Sequence, residues 1–100
     1  MGIRLDHIGI ATEDIEQASK FWIVLGLIQG SDETNVEQGV NIRFFGTSSG
    51  SEPKVELLEP LGKDTPIGKF LNKRGPGIQQ LTFEVDELEE TIRRLMGEGI

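Results

Sequence analysis

The chain has no cysteine and only one histidine, His7. The lack of cysteine excludes disulfides and thiolate metal sites, and it suits a cytoplasmic protein. No apolar run approaches the roughly 18 residues of a membrane span. The N-terminus lacks the basic-then-apolar profile of a signal peptide, so the sequence predicts no membrane partner. Positive charge is also scarce: ten Lys and Arg stand against 17 Asp and Glu, a formal net charge of −7. Such a surface repels phosphate backbones and argues against a nucleic-acid partner. An anionic small ligand would need a local basic patch, for which Lys54, Lys63, Lys69, Lys73 and Arg74 are the candidates. There is no nucleophile elbow, no phosphate-cradling glycine loop and no two-histidine metal motif.

What remains is an ordinary globular composition: 100 residues, 36% apolar and 27% charged. That length predicts one domain, near the lower range where a single core suffices. Residues 4–11 alternate as a strand, with Leu5, His7, Gly9 and Ala11 on one face and Asp6, Ile8 and Ile10 on the other. Asp14, with Gln17 three residues on, predicts a capped helix start. Ile15, Ala18, Trp22 and Leu25 form that helix's apolar stripe, and Gly26 ends it. Strands are predicted over 27–33, 40–45 and 54–59, the last two joined by the turn-rich segment 46–53. Pro66 opens a short helix to about residue 73. Residues 74–77 read as a break, followed by a strand over 79–85. Asp86 with Glu89 predicts a second capped helix, carrying Leu88, Ile92 and Leu95 as its stripe.

The two strand–helix pieces resemble each other at an offset of 73 residues (80 minus 7). At that offset Ile8 meets Leu81, Ile10 meets Phe83 and Ile15 meets Leu88. The reading is a single domain, 1–100, with a complete β-α-β-β-β unit over 1–74 and the β-α start of a second over 75–100. A half-built unit would leave a sheet edge and a helix face uncovered unless further chain or a partner covers them.

His7 is the leading candidate for chemistry. It lies over a floor of small residues, Gly9 and Ala11, while the opposite face carries isoleucines. That pattern suggests a cleft, and Gln80 and Thr82 repeat it. The competing reading is a hydrogen-bonded structural histidine. Glu56 is a carboxylate inside the apolar strand Val55-Glu-Leu-Leu58. Its unpaired burial would cost several kcal/mol, on the order of known charge-burial penalties, which a cleft or metal would relieve. The solvent face of an edge strand is the alternative. Glu37, Glu59 and Glu84 are weaker candidates.

At these residues the chain resembles a known family. Leu5-Asp-His-Ile-Gly-Ile-Ala11, Glu37-Gln-Gly-Val40, Val55-Glu-Leu-Leu-Glu-Pro-Leu-Gly62 and Thr65-Pro-Ile-Gly-Lys-Phe-Leu71 are similar to methylmalonyl-CoA epimerases of the glyoxalase-like vicinal oxygen chelate superfamily. The resemblance implies an α+β fold of paired βαβββ modules around a cleft that holds a divalent metal of the cobalt, manganese, zinc or magnesium class. It implies a CoA thioester substrate, a homodimer, and α-proton transfer through an enolate. By position, His7 matches the first family ligand, Glu56 a position in or beside the metal shell, and Gln80 the second histidine. The last is a departure, since the family reads Gly-[Leu/Ile]-His-His where this chain reads Gly77-Ile-Gln-Gln80. The final family ligand lies beyond Ile100. On this reading the metal ligands are His7, Glu56 and Gln80, Glu56 is also the catalytic candidate, and the 100-residue chain alone binds metal weakly. Alternatives are a lactoylglutathione lyase or dioxygenase type of the same superfamily, or a metal-free binding module of the same fold.

Overall fold

The computed structural model describes residues 2–47, 50 and 54–100. Most of the predicted 46–53 connection lies outside them. Strand β1 (Ile3–Ala11) leads to helix α1 (Ile15–Leu25), whose start is fixed locally. The Asp14 carboxylate accepts hydrogen bonds from the backbone N–H groups of Glu16 and Gln17 at 3.0 and 3.1 Å, a side-chain cap worth about 1 kcal/mol. A second carboxylate reaches the same helix end from far along the chain. Glu59 Oε2 accepts from the N–H of Ile15 at 2.9 Å, where the helix dipole favours negative charge. Gly26 ends α1 at φ 119°, a conformation that costs a glycine little.

Next come β2 (Ile28–Asn35), β3 (Val40–Gly46), β4 (Lys54–Pro60), α2 (Pro66–Arg74), β5 (Gly77–Val85) and α3 (Leu88–Gly97). The five strands form one mixed sheet in the order β2-β3-β4-β1-β5, so the fold is α+β. Only the β1–β4 pair is parallel; the others are antiparallel. The predicted break at 74–77 shrinks to Gly75 and Pro76, because Arg74 closes α2 and Gly77 already pairs with Ala11.

The sheet has a helix on each face. On one, Ile15, Ala18 and Trp22 of α1 pack with Ile10, Phe45, Val55 and Leu57. On the other, Ile67 and Leu71 of α2 pack with Ala11, Val40 and Leu58. Leu57 and Phe45 are fully buried, and each contributes about 1.5–3 kcal/mol of burial. Leu25, predicted in the α1 stripe, is instead exposed beside Phe21 and Val24. The inward face of α1 also includes Ser19, buried with its hydroxyl donating to the Ile15 carbonyl and accepting from Arg43.

Arg43 is a buried cation on the α1 side. Its guanidinium binds Asp32 through two hydrogen bonds of 2.9 Å and reaches Glu16 at 2.8 Å. These bonds hold Asp32 below the usual carboxylate range and push Arg43 further above its already high value.

The second predicted capping box is not formed. Glu87 occupies the cap position of α3 and makes no side-chain cap bond. Asp86 is engaged elsewhere, accepting from the N–H of Gly2 at 2.7 Å. No residue of α3 is buried; Leu88, Ile92 and Leu95 are exposed, as are Leu81 and Phe83 of β5. None of the described helices is long and apolar enough to cross a membrane.

Candidate functional site

The face of the sheet that carries α2 also carries a cleft of about 300 Å³, lined by His7, Glu56, Gln79 and Gln80 together with Asn35, Gln38 and Ile67. The three sequence-predicted ligands therefore face one space. They come from three adjacent strands: Gly9 of β1 is paired with Glu56 of β4 on one side and with Gln80 of β5 on the other. The space over Gly9, read from the sequence as part of a floor beneath His7, is taken by Gln80. A methyl group built at Gly9 would lie 2.5 Å from Gln80 Cγ, so the Gln80 side chain occupies the volume above Gly9.

Two β-bulges shape this row. Leu5 pairs with Phe83 and His7 with Thr82, which leaves Asp6 without a partner across the ladder. Gly9 pairs with Gln80 and Ile10 with Ile78, which leaves Gln79 without one. A bulge locally re-aims side chains. Strict alternation puts Asp6 on the α1 face, away from His7. In the structure Asp6 Oδ2 lies 2.8 Å from Nδ1 of the His7 ring. Asp6 and Gln79 are themselves 73 residues apart, as are His7 and Gln80.

The electrostatics follow from burial. Glu56 has only 13% of its side chain exposed, and its one ion-pair partner among the described residues is His7, with Nδ1 to Oε2 at 3.3 Å. Desolvation pushes the Glu56 carboxyl above its usual range, only partly offset by the attraction of His7. Asp6 moves the other way: its hydrogen bond to His7 holds it below the usual range. Asp6 also approaches Arg4 at 3.3 Å, and Arg4 in turn binds Glu84 at 2.9 Å.

The weaker candidates lie elsewhere. Glu59 caps α1, Glu84 pairs with Arg4, and Glu37 is exposed in the turn between β2 and β3. Lys63, Lys69 and Lys73 line a separate hollow of about 790 Å³ between α2 and the loop before it, with Glu13 and Asp64 on the same wall. Neither Gln79 as a cleft residue nor Asp6 as a partner of His7 was legible, since neighbours on a regular strand point to opposite faces.

No three His, Cys, Asp or Glu among the described residues are grouped as metal ligands. The three predicted ligands that meet there are one imidazole, one carboxylate and one amide, with the amides of Asn35, Gln38 and Gln79 on the same lining. Glu56 is a largely buried carboxylate whose one ion-pair partner among the described residues is His7, a setting that favours a bound cation. An oxygen-rich set of this kind suits a hard divalent ion better than a thiophilic one.

A family model described as Glyoxalase/Bleomycin resistance protein/Dioxygenase superfamily matches residues 6–100. The chain belongs to this superfamily. Bacillus subtilis YqjC is 42% identical over 98 residues, covering 97% of this chain and 68% of YqjC. The mitochondrial methylmalonyl-CoA epimerase of Bos taurus is 36% identical over 94 residues, 92% of this chain and 52% of that protein. The chain thus spans about half the length of this mammalian relative. Among solved structures, the hypothetical protein BH1468 of Bacillus halodurans superposes with a TM-score of 0.88 at 39% identity, over 99% of this chain and 70% of that one. Streptomyces coelicolor methylmalonyl-CoA epimerase, solved as a variant with 2-nitronate-propionyl-CoA, gives 0.79 at 32% identity, over 97% of this chain and 72% of that one.

Proposed function

We propose that this chain is part of a methylmalonyl-CoA epimerase-like isomerase acting on the α-carbon of a CoA thioester. The observation that carries the reading is the meeting of His7, Glu56 and Gln80 in one cleft. The named relatives support the substrate class.

The chemistry needs a base and a way to hold negative charge. A thioester α-proton leaves only if the enolate is stabilised. Glu56 is the base in this reading. Its carboxylate lines the cleft and accepts the proton at Oε. His7, Glu56 and Gln80 would hold a divalent ion of the cobalt, manganese or magnesium class, with zinc the poorest match to an amide ligand. Such an ion, when bound, supplies positive charge opposite the developing enolate oxygens. Gln80 fills the space above Gly9 and so closes one wall of the cleft. Ile67 and Leu58 make the adjoining wall apolar, which limits water beside the reacting carbon.

In the same reading residues 1–74 form one module and 75–100 the start of a second. The common 73-residue offset of the two bulges and of the pair His7 and Gln80 supports that division. A homodimer is also part of the proposal; the exposed Phe21, Val24 and Leu25 on the outer side of α1 offer it an apolar contact.

One observation favours a second reading. Gln80 stands where the family carries a histidine, which fits a binding module that has lost its metal. Metal analysis of the purified protein separates the two. Manganese or cobalt bound in proportion to protein, and lost in His7→Ala, supports the isomerase. Binding that appears only after Gln80→His supports the metal-free module.

A further inference from the structure

We infer that Asp6 is a positioning residue for His7. It fixes the imidazole with its proton on Nδ1, and Nε2 is left with a free lone pair for a ligand in the cleft. The bulge in β1 is what makes this possible. On a regular strand the Asp6 side chain would lie on the α1 face; here it is swung back to 2.8 Å from the neighbouring ring. A carboxylate can only accept a hydrogen bond, so the ring nitrogen facing it must carry the proton. Among the described residues Nε2 has no partner.

The geometry also orders the competing groups. Glu56 Oε2 is the other acceptor near Nδ1, but at 3.3 Å it is the longer contact. Arg4 lies 3.3 Å from the opposite oxygen of Asp6 and is itself tied to Glu84 on β5. Asp6 is therefore held on one side by a cation and turned on the other toward His7. This inference rests on the metal reading for its purpose, but its tautomer claim stands on the hydrogen bond alone.

The chain has a single histidine, so one labelled ring reports the answer without assignment. In ¹⁵N-labelled protein at a pH where the ring is neutral, long-range ¹H–¹⁵N correlation should show a protonated Nδ1 and an unprotonated Nε2. Asp6→Asn is isosteric at a partly exposed site; it should move a large share of the proton to Nε2 while the backbone spectrum stays folded. Glu56→Gln should leave the tautomer as it is. Manganese titration should broaden the His7 signals at about 10-fold or more lower concentration in the unaltered protein than in Asp6→Asn, the usual scale for a partner behind a ligand. A wild-type ring protonated on Nε2, or a tautomer that shifts with Glu56→Gln and not with Asp6→Asn, overturns the inference. If the tautomer responds to Asp6 and no titrated metal affects His7, the positioning role holds and the metal reading fails.

Discussion

Gly9 and Gln80 face each other across the β1–β5 ladder, and the glutamine side chain lies over the glycine so closely that a β-carbon there would stand 2.5 Å from Gln80 Cγ. Gly9→Ala should therefore displace Gln80 from the row it shares with Glu56. The expected result is a manganese affinity reduced about 10-fold, with the fold retained at a cost of about 1–3 kcal/mol from overpacking. Isothermal titration and chemical denaturation check the two halves separately.

Glu56 should make stability depend on pH in a defined direction. Its folded carboxyl binds a proton more tightly than the unfolded one, because burial penalises the charge. The stability it contributes is complete below the ordinary value of 4.5 and is lost as pH rises through the raised folded value. Glu56→Gln removes that loss. Without added metal, the variant should gain on the unaltered protein as pH rises from about 4 to 7, with thermal melts across this range as the measurement.

Asp32 should act with the opposite sign. Arg43 lowers its folded pKa, so its contribution is present above the ordinary aspartate value and lost as pH falls through the depressed one. Asp32→Asn should cost about 1 kcal/mol at neutral pH, since the carboxylate is more than half exposed and solvent screens the pair. Arg43→Ala should cost more, about 3 kcal/mol, because it also empties a buried site and leaves the Ser19 hydroxyl oxygen without its Arg43 donor. Urea titration at neutral pH and near pH 3 orders the two.

Leu57→Ala should be among the most damaging apolar changes, at about 2–5 kcal/mol. Leu57 is fully buried between β4 and α1 with Phe45 and Ile15. Leu95→Ala, on the exposed side of α3, should change stability by less than about 1 kcal/mol in this chain. Denaturation midpoints of the two variants test where the core ends.

The sequence was most informative where the physics is local. Asp14 and Gly26 bound α1 because a cap and a left-handed turn depend on residues a few positions away. Even there, the Asp14 cap is one-sided, made to the backbone and without a returning bond from Gln17 among the described residues. Ile8 and Ile10 could be placed by alternation, and the resemblance then matched His7 and Gln80 to the family's two histidine positions and Glu56 to one in or beside the metal shell. Four features depended on contacts outside their own stretch of chain. Glu59 looked like a surface charge because nothing nearby shows that it reaches Ile15. Arg43 was not singled out in the strand predicted over 40–45, because its partners Asp32, Glu16 and Ser19 lie on other elements. Asp6 was assigned to the wrong face because a bulge is a property of two paired strands. Asp86 failed as a cap because Gly2, at the other end of the chain, took its carboxylate.

The central claim is that His7 and Glu56 belong to a metal-assisted α-proton transfer site. Loss of the α-proton signal of methylmalonyl-CoA in deuterated water, followed by NMR with added cobalt or manganese, tests it most directly on the protein at its full natural length. The account predicts metal-dependent exchange well above the protein-free rate, falling at least 100-fold in Glu56→Gln, within the usual range for loss of a general base. Exchange no faster than the protein-free control with every divalent metal tried, or exchange unchanged in Glu56→Gln, would contradict it.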